Sequence, residues 1–92
     1  MLTKETLIQW MRDNPELEVY EGSPSRSCVV THYLREVYND PNATSHYLRY
    51  QVNGNNFPIP NDVEPLMRKF DHHHGASIPL KEFYKDAGIS PQ

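Results

Sequence analysis

The run from Ser27 to Tyr38 places Val29, Val30, Tyr33, Leu34, Val37 and Tyr38 at a spacing of i, i+1, i+4, i+5, i+8 and i+9. That spacing lays one broad apolar stripe along an α-helix and predicts a central helix on which the other elements pack. Ser25-Arg26-Ser27 supplies N-caps, and Asn39-Asp40-Pro41-Asn42 stops the helix, because a residue before proline is pushed out of helical geometry. Cys28 and His32 lie one turn apart on the margin of the stripe, so the chain's one thiol sits near the helix start with an imidazole beside it.

Upstream, Thr3 caps a first helix over about Lys4–Asp13, with Leu7, Ile8, Trp10 and Met11 on its apolar face. Leu17–Tyr20 alternates apolar and polar residues before a Gly-Ser-Pro turn and reads as an edge strand. From Thr44 to Val52 the period becomes 2, with His46, Leu48, Tyr50 and Val52 on one face and Tyr47, Arg49 and Gln51 on the other. Asn53-Gly54 predicts a hairpin into Phe57–Ile59, and Pro58 confines that strand to an edge. A third helix follows Asn61 or Asp62, burying Val63, Leu66, Met67 and Phe70. A fourth starts near Pro79, buries Leu80, Phe83, Tyr84 and Ala87, and stops at Gly88. The pattern predicts a single α+β domain over residues 1–92, about four helices on a two- to three-stranded antiparallel sheet. Its expected core is Leu7, Trp10, Met11, Val30, Leu34, Val37, Leu48, Tyr50, Leu66, Phe70, Phe83 and Ile89.

Composition narrows the function. A chain of 92 residues leaves little core for a deep active site, while ten aromatic residues are enough for a folded globule. The net charge of −3 offers no footprint for a phosphate backbone, so nucleic acid is disfavoured as a partner. One cysteine forms no internal disulfide, and with no apolar run of membrane-spanning length the expected location is cytoplasmic, with no membrane attachment. No cofactor motif is present in the sequence, and no cofactor is expected.

Three residue groups carry candidate chemistry. Tyr47, Arg49 and Gln51 present an aromatic ring, a guanidinium and an amide from one strand face, types enriched where proteins meet. Cys28 near a helix start with His32 at i+4 is the arrangement a thiol-dependent enzyme or redox sensor needs, though no third orienting group or oxyanion motif accompanies it. Six residues separate Cys28 from Arg35, which rules out the Cys-x5-Arg phosphate loop. His72-His73-His74 looks like a metal tract, yet consecutive side chains on a helix diverge by about 100°, so at most two reach one ion locally.

The order of elements, from the Ser-Pro-x-x-x-Cys helix start through the hairpin to the closing helices, is similar to small bacterial and phage proteins, a likeness of architecture that implies no activity. The leading expectation is a non-enzymatic protein-binding module, an inhibitor or accessory factor of phage or bacterial origin, that uses Tyr47, Arg49 and Gln51 to engage another protein. The alternatives are a thiol enzyme or redox sensor through Cys28 and His32, and a metal-binding protein through His72, His73 and His74. A homodimer through an open sheet edge is a further alternative for the partner.

Overall fold

A computed structural model describes residues 1–21, 28–73 and 75–90. Helix α1 (Lys4–Asp13) forms as the sequence dictates: the Thr3 hydroxyl accepts the Thr6 N–H, and the Thr6 hydroxyl accepts the Thr3 N–H, a reciprocal cap. It buries Leu7, Trp10 and Met11. Helix α2 (Val29–Val37) buries Val29, Val30, Thr31, Tyr33 and Leu34 and touches α1 and three further elements, so it is the centre of the fold. Its cap is Cys28; the expected caps Ser25, Arg26 and Ser27 lie outside the described residues.

Among the described residues the strands form two sheets instead of one. Strand β1 (Glu18–Glu21) pairs antiparallel with β5 (Ala76–Pro79), with Val19 opposite Ile78 and Glu21 opposite Ala76. The other sheet is a meander of β2 (Thr44–Ser45), β3 (Arg49–Val52) and β4 (Asn55–Pro58) in that order, β4 at the edge. The expected single strand Thr44–Val52 is therefore a hairpin. Its turn lacks glycine, proline and asparagine; the His46 N–H donates to the Arg49 carbonyl at 3.0 Å, and the Leu48 N–H donates to His46 Nδ1 at 3.2 Å. An imidazole thus plays the local acceptor part that an asparagine or aspartate plays in an Asx-turn.

Helix α3 (Glu64–Phe70) starts later than the Asn61 or Asp62 cap implied. The Pro60 carbonyl takes the Val63 and Glu64 N–H groups, and no side chain caps the helix. The expected fourth helix does not form, and the described residues hold three α-helices and short 3-10 segments at Asp71–His73 and Leu80–Phe83. Its would-be first turn is claimed from outside: the Leu80 N–H donates to Leu17 O at 2.9 Å and the Lys81 N–H to Pro15 O at 3.0 Å, extending the β1–β5 pairing past Pro79.

The core joins both sheets and all three helices. Phe70 and Phe83 meet edge to face at 5.4 Å, as do Trp10 and Tyr33 at 5.5 Å, an arrangement the ring quadrupoles favour. Ten of the twelve expected core residues are buried. Val37 and Leu48 are not, at 49% and 73% exposure: Val37 is the last residue of α2, and Leu48 stands in the turn. Replacing Phe83 with alanine should cost about 3–5 kcal/mol in urea unfolding, whereas Val37→Ala, which removes an already exposed side chain, should change stability by less than about 1 kcal/mol.

Candidate functional site

The β2–β3 turn decides which groups the protein shows to solvent. Tyr47 leaves the face of Arg49 and Gln51 and turns inward, half-buried beside Met67 and Phe70, with the Arg68 guanidinium 4.5 Å above its ring centroid. Arg49 and Gln51 stay together on the outer face, both exposed. Leu48, expected in the core, is 73% exposed beside them. Across the strands, Tyr50 and Val52 face inward, and Phe57 stacks on Tyr50 at 5.2 Å, itself 39% exposed.

Two depressions border β4. One, of about 240 Å³, is lined by Leu48, Arg49, Asn56, Phe57 and Pro58. The other, of about 230 Å³, is mainly apolar and includes Met1, Tyr38, Tyr50, Val52 and Phe57. Among the described residues Arg49 has no ion-pair partner. In a wider trough near the C-terminal turn, between Pro15 and Ile89, Lys81 Nζ donates to Glu16 at 2.8 Å and the Tyr84 hydroxyl donates to Met11 O.

The thiol is interior. Cys28 Sγ accepts the Thr31 N–H at 3.4 Å and lies 3.3 Å from each of the Thr31 and Ser45 hydroxyls, which are 2.7 Å from one another. Burial pushes the Cys28 thiol pKa up, against the lowering from those hydrogen bonds, so the protonated form is favoured. His32, one turn on, is half-buried; burial and the Arg35 charge lower its pKa, and while its backbone N–H donates to the Cys28 carbonyl at 3.0 Å, no hydrogen bond joins its ring to Cys28 Sγ. A neutral thiol without a bound base lacks the thiolate that nucleophilic or redox chemistry requires.

Beside Cys28 lies a group that sequence reasoning missed. Glu21 is 1% exposed; it accepts the Val29 N–H at 3.3 Å and lines a small cavity together with Asp71. Burial is the main cause that pushes the Glu21 pKa to about 8, and the Asp71 charge adds to it. The adjoining cavity, about 10 Å³, has room for roughly one water and none for a substrate. The sequence signal was parity: Glu21 falls on the same face of its strand as Val19.

The histidines diverge. His73 Nε2 pairs with Asp86 at 2.8 Å and packs on Phe83, His72 is exposed, and His74 lies outside the described residues. Among the described residues, no three His, Cys, Asp or Glu side chains converge where they could hold a metal ion. No helix among them is long and apolar enough to cross a membrane.

No protein-family model, no curated protein and no solved structure matches the chain.

Two outcomes are expected. Cys28 should resist alkylation in the native protein until unfolding, measured as labelling rate against pH. Glu21 releases its proton near pH 4.5 in the unfolded chain but near 8 in the folded one, so its stabilising contribution is full below about 4.5 and is lost as pH rises towards 8. His32 acts oppositely, its contribution being lost as pH falls below about 6.5. Between pH 6.5 and 8, unfolding free energy should therefore fall by up to about 1.4 kcal/mol per pH unit, and Glu21→Gln should flatten that slope.

Proposed function

We propose that the chain is a non-enzymatic protein-binding module, acting as an inhibitor or accessory factor, and that it engages its partner through the turn and outer face of the β2–β3–β4 meander. The observation that carries this reading is the pairing of Leu48, 73% exposed, with Arg49, exposed and without an ion-pair partner among the described residues. A large aliphatic side chain held in water loses the hydrophobic contribution of its burial, and contact with a partner restores it. A guanidinium beside it supplies the directional, charge-assisted hydrogen bonds that fix orientation.

Gln51 extends the polar part of this surface along β3, and Asn56 and Pro58 border it on β4. Tyr47 belongs to the scaffold: its ring is taken up between α3 and the interior, so its part in binding is to hold the turn that displays Leu48. The reading is also supported by the buried, protonation-favouring environment of Cys28, which leaves the thiol unsuited to chemistry, and it fits action in a reducing compartment, where a lone cysteine remains a thiol.

The test is cross-linking of the tagged chain in lysate of its source cells, run beside a Leu48→Asp, Arg49→Glu variant. The wild type should yield a discrete cross-linked partner that the variant loses, while the melting temperature of the variant stays within about 3 °C, because neither side chain packs in the core. Equal capture by both chains would overturn the assignment of this surface.

A further inference from the structure

We infer that the open edge of β4 is a strand-addition site for an extended segment of the partner protein, one with an acidic side chain facing Arg49 and an apolar one entering the depression between Tyr38 and Phe57. This deepens the protein-binding reading and rests on it.

The hydrogen-bonding parity of the hairpin comes first. Asn53 and Gly54 form a two-residue turn with φ of 51° and 81°, the left-handed pair that a type I′ turn requires. Val52 and Asn55 beside that turn form a hydrogen-bonded pair, so Tyr50 and Phe57 are the next bonded pair, and Gln51 opposite Asn56 and Arg49 opposite Pro58 are the non-bonded ones. The Ile59 N–H donating to Leu48 O at 3.0 Å continues the same alternation. Asn56 consequently turns its N–H and C=O away from β3, as Pro58 turns its C=O. Among the described residues no backbone group pairs with Asn56 on that side, since β4 ends the sheet.

An added strand takes its affinity from such main-chain groups and its specificity from pockets that receive alternate side chains. Both are present here. The two depressions share Phe57 and border the same edge strand, one including Arg49 and Pro58, the other Tyr50 and Val52, which face opposite sides of the sheet. Successive side chains of an added strand point to opposite faces, so one enters each. The depression at Arg49 contains a cation with no ion-pair partner among the described residues, and an acidic side chain complements it. The other takes an aliphatic or aromatic side chain.

A second copy of this chain fits the edge less well. Symmetric pairing of β4 about Asn56 brings in Pro58 of both copies, so the ladder lacks a donor at each end; a foreign strand meets one missing donor.

The experiment is a titration of the ¹⁵N-labelled chain, by amide shifts and hydrogen exchange, with the blocked peptide Thr-Val-Glu-Val-Glu-Val-Thr. Its counterparts are the Val-Lys version and a Val-Glu version N-methylated at alternate residues. The Val-Glu peptide should shift amides of residues 48–57 and of Tyr38, and slow Asn56 N–H exchange at least tenfold at saturation. The Val-Lys and N-methylated peptides should bind at least tenfold more weakly, and Asn56→Pro, which removes the outward N–H without touching a bonded pair with β3, should abolish the response. Absence of binding, equal binding of the Val-Lys peptide, or full binding of the N-methylated peptide would overturn the inference. If Asn56→Pro also retains partner cross-linking that Leu48→Asp, Arg49→Glu loses, strand addition fails while the protein-binding reading stands; if both variants retain it, the binding surface itself fails. Asn56 protection that rises with protein concentration in the absence of peptide would overturn the inference in favour of a second copy.

Discussion

The buried contact between Thr31 and Ser45, hydroxyl to hydroxyl at 2.7 Å and closed into a ring by Cys28 Sγ, fastens the three-stranded sheet to the central helix. Each of these groups is taken out of water, and each would be costly to bury alone. Together they satisfy one another, and the chain pins β2 to the first turn of α2 at a single register. Two further bonds hold the remainder of the meander: Arg35 Nε donates to Ala43 O at 2.9 Å, and the Asp40 carboxylate accepts the Asn53 N–H at 2.8 Å. The second of these also holds the Asp40 pKa below the ordinary carboxylate value. The direction in which β4 presents its edge follows from these contacts, since β4 itself is exposed along its whole length and contributes little packing.

The same helix start carries a buried carboxyl group. Glu21 arrives from β1, accepts the Val29 N–H at the N-terminus of α2 and lines a small cavity with Asp71 at the end of α3. Burial makes ionising the Glu21 carboxyl costly. Beside a cavity that admits about one water, Glu21 is a buried joint whose protonation ties the stability of the fold to pH.

Local periodicity made the helices legible and left the strand pairing obscure. The Thr3 cap and the apolar stripe of α2 are short-range signals, and both elements fall where the pattern puts them. The pairing of Glu18–Glu21 with Ala76–Pro79 joins segments more than fifty residues apart, and nothing within either segment encodes the other. Pro79 reads equally well as a helix start and as a strand end; only the carbonyls of Pro15 and Leu17, brought in from afar, decide it. The Tyr47-Leu48 turn was hidden for a different reason: unbroken alternation of side chains persists through a hairpin whose loop has two residues, and the residue that bends the chain, His46, acts through a ring nitrogen. That bend moves Leu48 from the expected core to the surface and Tyr47 from the expected surface to the interior, so the candidate site kept Arg49 and Gln51 and exchanged its apolar member.

An exposed leucine, a guanidinium and a strand edge, neither of the last two paired among the described residues, sit at one end of a sheet whose other face is locked to α2, and this placement ties the fold to the proposed function. Edge strands left open are a hazard that proteins limit with proline or with short length. Here Pro58 and the four-residue length of β4 narrow the opening to the main-chain groups of Asn56 and the outward carbonyl of Pro58. The most direct test is native-state hydrogen exchange of the free protein, read amide by amide along β4. The account predicts that Asn55 and Phe57 are protected by their bonds to β3 while Asn56 between them exchanges at nearly the rate of an unstructured chain. Protection of Asn56 equal to that of its two neighbours would mean that the edge is closed or the register shifted, and would contradict it.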